Sequence, residues 1–178
     1  MSTIVYNGVG QTLTGRADYG NLIINNTSGA LTTSGDVTVS GTLTLTKGIV
    51  STGANTIAVT NDTTPISGGS NTAYISGKLR LTYPATGTNV ARTFPIGKGS
   101  AYRPVTFSYD TAPASRTVLI EQFETSFPGA LPSTASQFGA RYWNITQSSV
   151  GASYKVTLDA GPATTSGTVV MIRREGTG

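Results

Sequence analysis

The chain contains neither cysteine nor histidine. The first absence excludes a disulfide framework and every thiolate metal site. The second removes the usual general base, so the abundant Ser and Thr have no imidazole to activate them as nucleophiles. Charge is scarce too: Asp, Glu, Lys and Arg make up 11% of the 178 residues, against roughly 25% in ordinary soluble proteins. The 12 basic residues exceed the 8 acidic ones, yet they are scattered from Arg16 to Arg174 and only Arg173-Arg174 are adjacent. They form no basic stripe for nucleic acid. No run approaches the roughly 20 apolar residues of a membrane span. Met1-Ser2-Thr3 leads into Ile4-Val5-Tyr6 with neither a charged n-region nor an apolar h-region, so export requires a mature fragment or an excised domain. No window sustains a 3.6-residue apolar period, which predicts little helix.

What fills the gap is Gly, Ser, Thr and Asn, residues of turns and of the solvent face of strands. A hydrophobic fraction of 37% still suffices for a core, in one or two domains. The apolar residues are arranged in a repeat. Asn21-Leu22-Ile23-Ile24-Asn25 returns as Thr42-Leu43-Thr44-Leu45-Thr46, and Asp36-Val37-Thr38-Val39-Ser40 returns as Thr56-Ile57-Ala58-Val59-Thr60. In each segment the second and fourth residues are aliphatic, the period-2 alternation of a strand buried on one face. Two different strands that recur in the same order after about the same interval imply a coil stacking each strand on its counterpart. Leu22, Ile24, Val37, Val39, Leu43, Leu45, Ile57 and Val59 are therefore expected to point inward in columns. Gly41, Gly48 and Gly53 are expected either at positive φ or where rungs approach closely.

The chain divides in two, a β-solenoid repeat region over residues 1–77 and a β-sandwich over 78–178. Past Asn61-Asp62-Thr63-Thr64-Pro65 and Gly68-Gly69-Ser70-Asn71 the spacing changes. The alternating segment Lys78 to Tyr83 is either the last rung of the solenoid or the first strand of the sandwich. Beyond it the candidate strands are Thr93 to Ile96, Pro104 to Tyr109, Thr117 to Phe123, Arg141 to Ile145, Ser153 to Leu158 and Thr168 to Arg173. Pro113, Pro128-Gly129, Pro132, Gly151 and Gly161-Pro162 punctuate them as turns do between antiparallel strands. The fold expected is all-β: a short parallel β-solenoid of about three rungs, right-handed β-helix-like, followed by an antiparallel β-sandwich that caps its last rung. The edge near Ile4 to Tyr6 has no evident cap.

Chemistry-bearing motifs are few. Gly97-Lys98-Gly99 lacks the spacing, the following Ser or Thr and the helix of a phosphate loop, and reads as a turn. Glu121, Glu124 and Asp159 are the candidates for a glycosidase carboxylate pair, but in a strand Glu121 and Glu124 face opposite sides. Thr42, Thr44 and Thr46 form a T-x-T-x-T run whose neighbouring rungs do not repeat it, as an ice-binding array requires. Tyr142-Trp143, with Phe138 nearby, or an exposed Tyr83 would suit sugar stacking, though alternation sends Trp143 and Ile145 to the sandwich core. Arg103, before Pro104, is expected in extended backbone, positioning strands by backbone pairing or a carboxylate contact rather than binding substrate. No catalytic, cofactor-binding or metal-binding residue emerges and no cofactor is implied; the chain does not read as an enzyme.

Val5-Tyr6-Asn7-Gly8, Gln11, Tyr19-Gly20-Asn21-Leu22, Val37-Thr38-Val39-Ser40-Gly41-Thr42-Leu43-Thr44-Leu45 and Gly48-Ile49 form an ordered set. It continues through Gly53-Ala54-Asn55-Thr56-Ile57, Gly68-Gly69-Ser70-Asn71-Thr72-Ala73-Tyr74-Ile75-Ser76-Gly77, Phe94-Pro95-Ile96-Gly97, Tyr102-Arg103-Pro104-Val105 and Tyr142-Trp143-Asn144-Ile145. This set resembles the repeated modules of very large surface and adhesin-like proteins of gliding and related bacteria, exported through the type IX secretion pathway. The resemblance implies an extracellular or cell-surface, non-catalytic structural or adhesive module, and an internal segment, since the sorting domain of such proteins is missing here. Its implied partners are neighbouring copies or tandem modules, joined through solenoid ends or strand edges, with surface glycans as a further possibility and neither nucleic acid nor a membrane span. The alternatives are a carbohydrate-binding module and a phage fibre or tailspike segment.

Overall fold

The computed structural model describes residues 1–112, 114, 116–131, 133, 139–148 and 152–159. Among them there is no helix. The chain coils. Its first rung is β1 (Thr3–Tyr6), β2 (Thr12–Leu13) and β3 (Arg16–Tyr19); its second is β4 (Asn21–Asn25), β5 (Leu31–Thr33) and β6 (Val37–Val39). The third is one strand bent around the corners, β7 (Leu43–Val59), and the fourth is β8 (Ile66–Gly68) and β9 (Ala73–Tyr83). Each strand pairs in parallel with its counterpart one turn on, giving three faces: β1-β4-β7-β8, β2-β5-β7-β9 and β3-β6-β7-β9. The solenoid has about five turns rather than three, the fifth begun by Ile96-Gly97, which pair in parallel with Ile75-Ser76 of β9. The added turns come from Ile66 onward, where Gly68-Gly69 and Gly77 disguise the period.

The columns are those the alternation demands. Ile4, Leu22, Leu43 and Ile66 stack in register, as do Val37, Ile57 and Leu79, and Val39, Val59 and Leu81. All eight residues expected inside are at most 2% exposed. The corners need glycine for two separate reasons. Gly48 (φ 99°) and Gly53 (φ 58°) occupy left-handed backbone. Gly41 does not, but a Cβ there would lie 2.9 Å from the backbone oxygen of Gly20 in the rung below, so rung stacking itself leaves no room for a side chain.

The sandwich grows out of the last rung. Its strands are β10 (Thr88–Phe94), β11 (Ile96–Lys98), β12 (Ala101–Tyr102), β13 (Val105–Thr111), β14 (Arg116–Phe123), β15 (Tyr142–Gln147) and β16 (Tyr154–Leu158). β14 runs antiparallel along β9, with Val118 opposite Leu81 and Ile120 opposite Leu79, and β15 adds outside it. Sheet β10-β13-β16 is separate and antiparallel. Its Phe107 and Tyr109 meet Tyr83 edge-on, with ring centroids 6.1 and 5.0 Å away. One apolar cluster runs from Leu13 through to Ile120.

Two readings of the sequence change here. Residues 78–83 are both things at once: parallel to β7 on one edge and antiparallel to β14 on the other, so the 77/78 boundary falls inside β9. Thr93 to Ile96 is not one strand, because the chain changes sheet at Pro95. Phe94 pairs with Val105 in one sheet and Ile96 with Ile75 in the other. Proline has no N–H for either ladder, whereas its carbonyl accepts from Ile75 N at 2.9 Å. The expected strand Thr168 to Arg173, and Pro113, Pro132, Gly151 and Gly161-Pro162, lie outside the described residues.

Candidate functional site

The two solenoid ends differ. At the C-terminal end the edge of β9 is used up, by β11 beyond Ile75-Ser76 and by β14 beyond Leu79 to Tyr83, while the three-residue β8 pairs with β7 alone among the described residues. At the N-terminal end, among the described residues, β1, β2 and β3 each pair on one side only. Asn21 N donates to Ser2 O at 2.7 Å. Parallel geometry then commits the N–H and C=O groups of alternate residues to β4 and leaves those of Thr3 and Val5 at the open edge. Among the described residues the exposed large hydrophobics all belong to this first turn: Met1, Val5 (48% exposed) and Val9 (67%).

The three open strands are not equivalent. β2 is too short to template a partner. β3 carries a bulge between Arg16 and Tyr19, and its Arg16 and Asp18 form an exposed ion pair; bulges and charge both discourage edge pairing. Only β1 is regular, and its outward residues are uncharged.

Side chains, not backbone, close the core at this end. Tyr6 and Tyr19 top the inner columns and their hydroxyls meet at 3.0 Å, while Tyr19 donates to Thr14 O at 2.9 Å and Thr14 N donates to Tyr6 Oη at 3.3 Å. The phenols respond in opposite directions. Burial raises Tyr6, but its hydrogen bonds to Tyr19 and Thr14 and the Arg16 charge outweigh that and hold it below the ordinary phenol range. Burial first, and then the hydrogen bond to Tyr6, push Tyr19 well above it. Arg16 also lies over the Tyr19 ring at 5.1 Å.

The residues singled out by chemistry are mostly occupied in holding the fold. Gly97-Lys98-Gly99 forms the β11–β12 hairpin, with Tyr74 donating to Gly99 O and Lys98 Nζ 5.9 Å from the Phe123 ring. Glu121 pairs with Asn144 across the ladder. Glu124 accepts from Arg103 Nε at 3.0 Å and Gln122 Nε2 at 2.9 Å and lies 3.7 Å from Arg141. Arg103 N also donates to Ile96 O at 2.8 Å, so Arg103 ties strands together by both expected means. Asp159 lies at the end of β16, where its N–H donates to Pro104 O at 3.3 Å. Thr44 is flanked by Ile23 and Ser67, so no threonine row forms.

The aromatic candidates give no open platform. Tyr83 is not exposed: it is fully buried, its hydroxyl donates to Phe107 O at 2.8 Å, and burial raises its phenol far above the ordinary range. Its place in the last rung puts it under sheet β10-β13-β16. Tyr142 stacks on Phe123 at 4.5 Å and meets Phe127 edge-on, so its ring packs against its neighbours. Trp143 and Ile145 pack on the core. Phe138 lies outside the described residues. The Tyr6–Tyr19 pair and the bulged, charged β3 had no signal in the sequence, because both depend on which strands meet. Compared with protein-family models, with curated proteins and with solved structures, the chain matches none.

Proposed function

We propose that this chain is a non-catalytic structural module of a bacterial extracellular surface protein, giving rigid spacing and display and joining a neighbouring module through β1. The observation that carries the reading is the asymmetry of the solenoid: at one end the chain's own sandwich covers β9 and leaves the three-residue β8 open among the described residues, and the other presents a regular, uncharged strand edge. An open parallel edge is a template for another strand. Supporting features are the weak charge, the continuous apolar core and the commitment of Glu124 and Arg103 to structural contacts. On the same face the far end offers the short edge of β8, so the partner at β1 is a different module, a second β1 or the β8 edge of another copy.

The test is where the protein sits. Antibodies raised against the chain should label intact, unpermeabilised cells that produce it, and mild proteolysis of those cells should release it. Labelling only after permeabilisation would remove the surface reading.

A further inference from the structure

Stacking places small hydroxyl residues in line on the outside of the second face. Thr12, Thr32, Ser51, Ser76 and Gly97 occupy successive outward positions. A stripe of this kind is ordinary on a solvent face. Here part of it lies at the bottom of a groove of about 510 Å³ that crosses several rungs at the corner between the first two faces.

Three features of the groove bear on what it holds. Ser76 is only 8% exposed, lines the groove, and its hydroxyl makes no hydrogen bond among the described residues. Asn26, 1% exposed, also lines the groove; its Nδ2 donates to Ser28 O and Gly29 O, but its Oδ1 is buried without a partner. Lys47 lines the groove with no carboxylate or carbonyl bonded to its ammonium, and none of the lining residues is acidic.

These groups select a ligand chemistry. Unbonded hydroxyls at Ser51 and Ser76 and the carboxamide of Asn71 suit a polyhydroxylated chain; Ile49 and the Gly48 backbone suit the C–H face of a sugar ring; Lys47, in a groove without acids, suits a negative charge. We propose that this groove binds a carboxylated polysaccharide, with a uronate carboxylate at Lys47 and sugar hydroxyls on Ser51 and Ser76. The site is separate from β1 and from the aromatic cluster around Tyr142, and it does not depend on the assembly role.

Isothermal titration of the full chain with tetragalacturonate tests the proposal, with its methyl ester and inorganic phosphate as the comparison probes. The expected result is binding that weakens about tenfold in Lys47→Gln and about 3- to 10-fold in Ser76→Ala, the range one hydrogen bond supplies. Lys155→Gln, on the distant strand β16, should bind as the unmodified chain does, and all variants should melt together. The ester should bind at least several-fold more weakly. Failure of tetragalacturonate to bind at millimolar concentration overturns the proposal, as does affinity unchanged in either groove variant. Equal affinity for the ester, or displacement by phosphate at equal concentration, shows a site that is not selective for an acidic sugar and overturns it as well.

Discussion

Leu43 lies midway along a column, with Leu22 below and Ile66 above, and is fully buried. Leu43→Asp would place a carboxylate where no cation can reach it, and should cost more than about 3 kcal/mol. Thr44→Asp, one residue on but facing solvent, should cost about 0.5 kcal/mol or less. Urea denaturation of the pair checks the register, and similar losses in both would refute it. The tyrosines set the alkaline limit. Tyr19, Tyr74, Tyr83, Tyr102 and Tyr109 are all raised, chiefly by burial. A raised phenol stabilises fully below its unfolded pKa of about 10 and loses that contribution as the pH climbs toward the folded value. Tyr6 is lowered and acts oppositely, gaining stability as the pH rises through the same region. Five groups against one predict that the urea midpoint falls above about pH 10. A midpoint that stays level there would show the phenols to be solvated.

Among the elements, β1 has a regular free edge four residues long with Val5 outward. Val5→Lys adds charge to that edge and should leave stability within about 0.5 kcal/mol, since Val5 is half exposed. If the isolated chain self-associates through β1, sedimentation velocity will show it, and Val5→Lys will abolish it. A chain that stays monomeric up to its solubility limit excludes pairing of β1 with β1. The opposite end depends on a different kind of contact. Arg103 and Glu124 are 16% and 27% exposed and join the stretch after β12 to the end of β14. Arg103→Met should cost about 1 kcal/mol, at the upper end for a pair with some access to water.

For the whole molecule, the shared strand β9 and the single apolar cluster bind solenoid and sandwich into one cooperative unit. Calorimetry should give one transition, with calorimetric and van't Hoff enthalpies in agreement. A fragment of residues 1–77 would break β9 in its middle and strip Ile57 and Val59 of their neighbours Leu79 and Leu81. It should not fold by itself; a native-like circular dichroism spectrum and sharp melting from that fragment would contradict the shared core. Two β1 edges that meet consume each other, so self-association of β1 against β1 stops at two copies. Open-ended fibres of the chain alone would instead point to β1 pairing with the free edge of β8 in the next copy.

Alternation in Asn21–Asn25, Val37–Val39 and Leu43–Val59 determined by itself that the chain coils and which residues fill the coil. Inward and outward positions follow from strand geometry, and small corner residues leave little else possible. The glycines were legible for the same local reason, as was the structural role of Arg103 beside Pro104. The extra turns, the double duty of residues 78–83 and the change of sheet at Pro95 were not legible, because each depends on what lies along the far edge of a strand. An amino-acid pattern records which face is buried, but not which neighbour accepts the hydrogen bonds. The open β1, the buried Tyr83 and the groove at Ser76 and Lys47 belong to that second class. They exist only once rungs far apart in the chain are laid side by side, and the tertiary structure alone decided them.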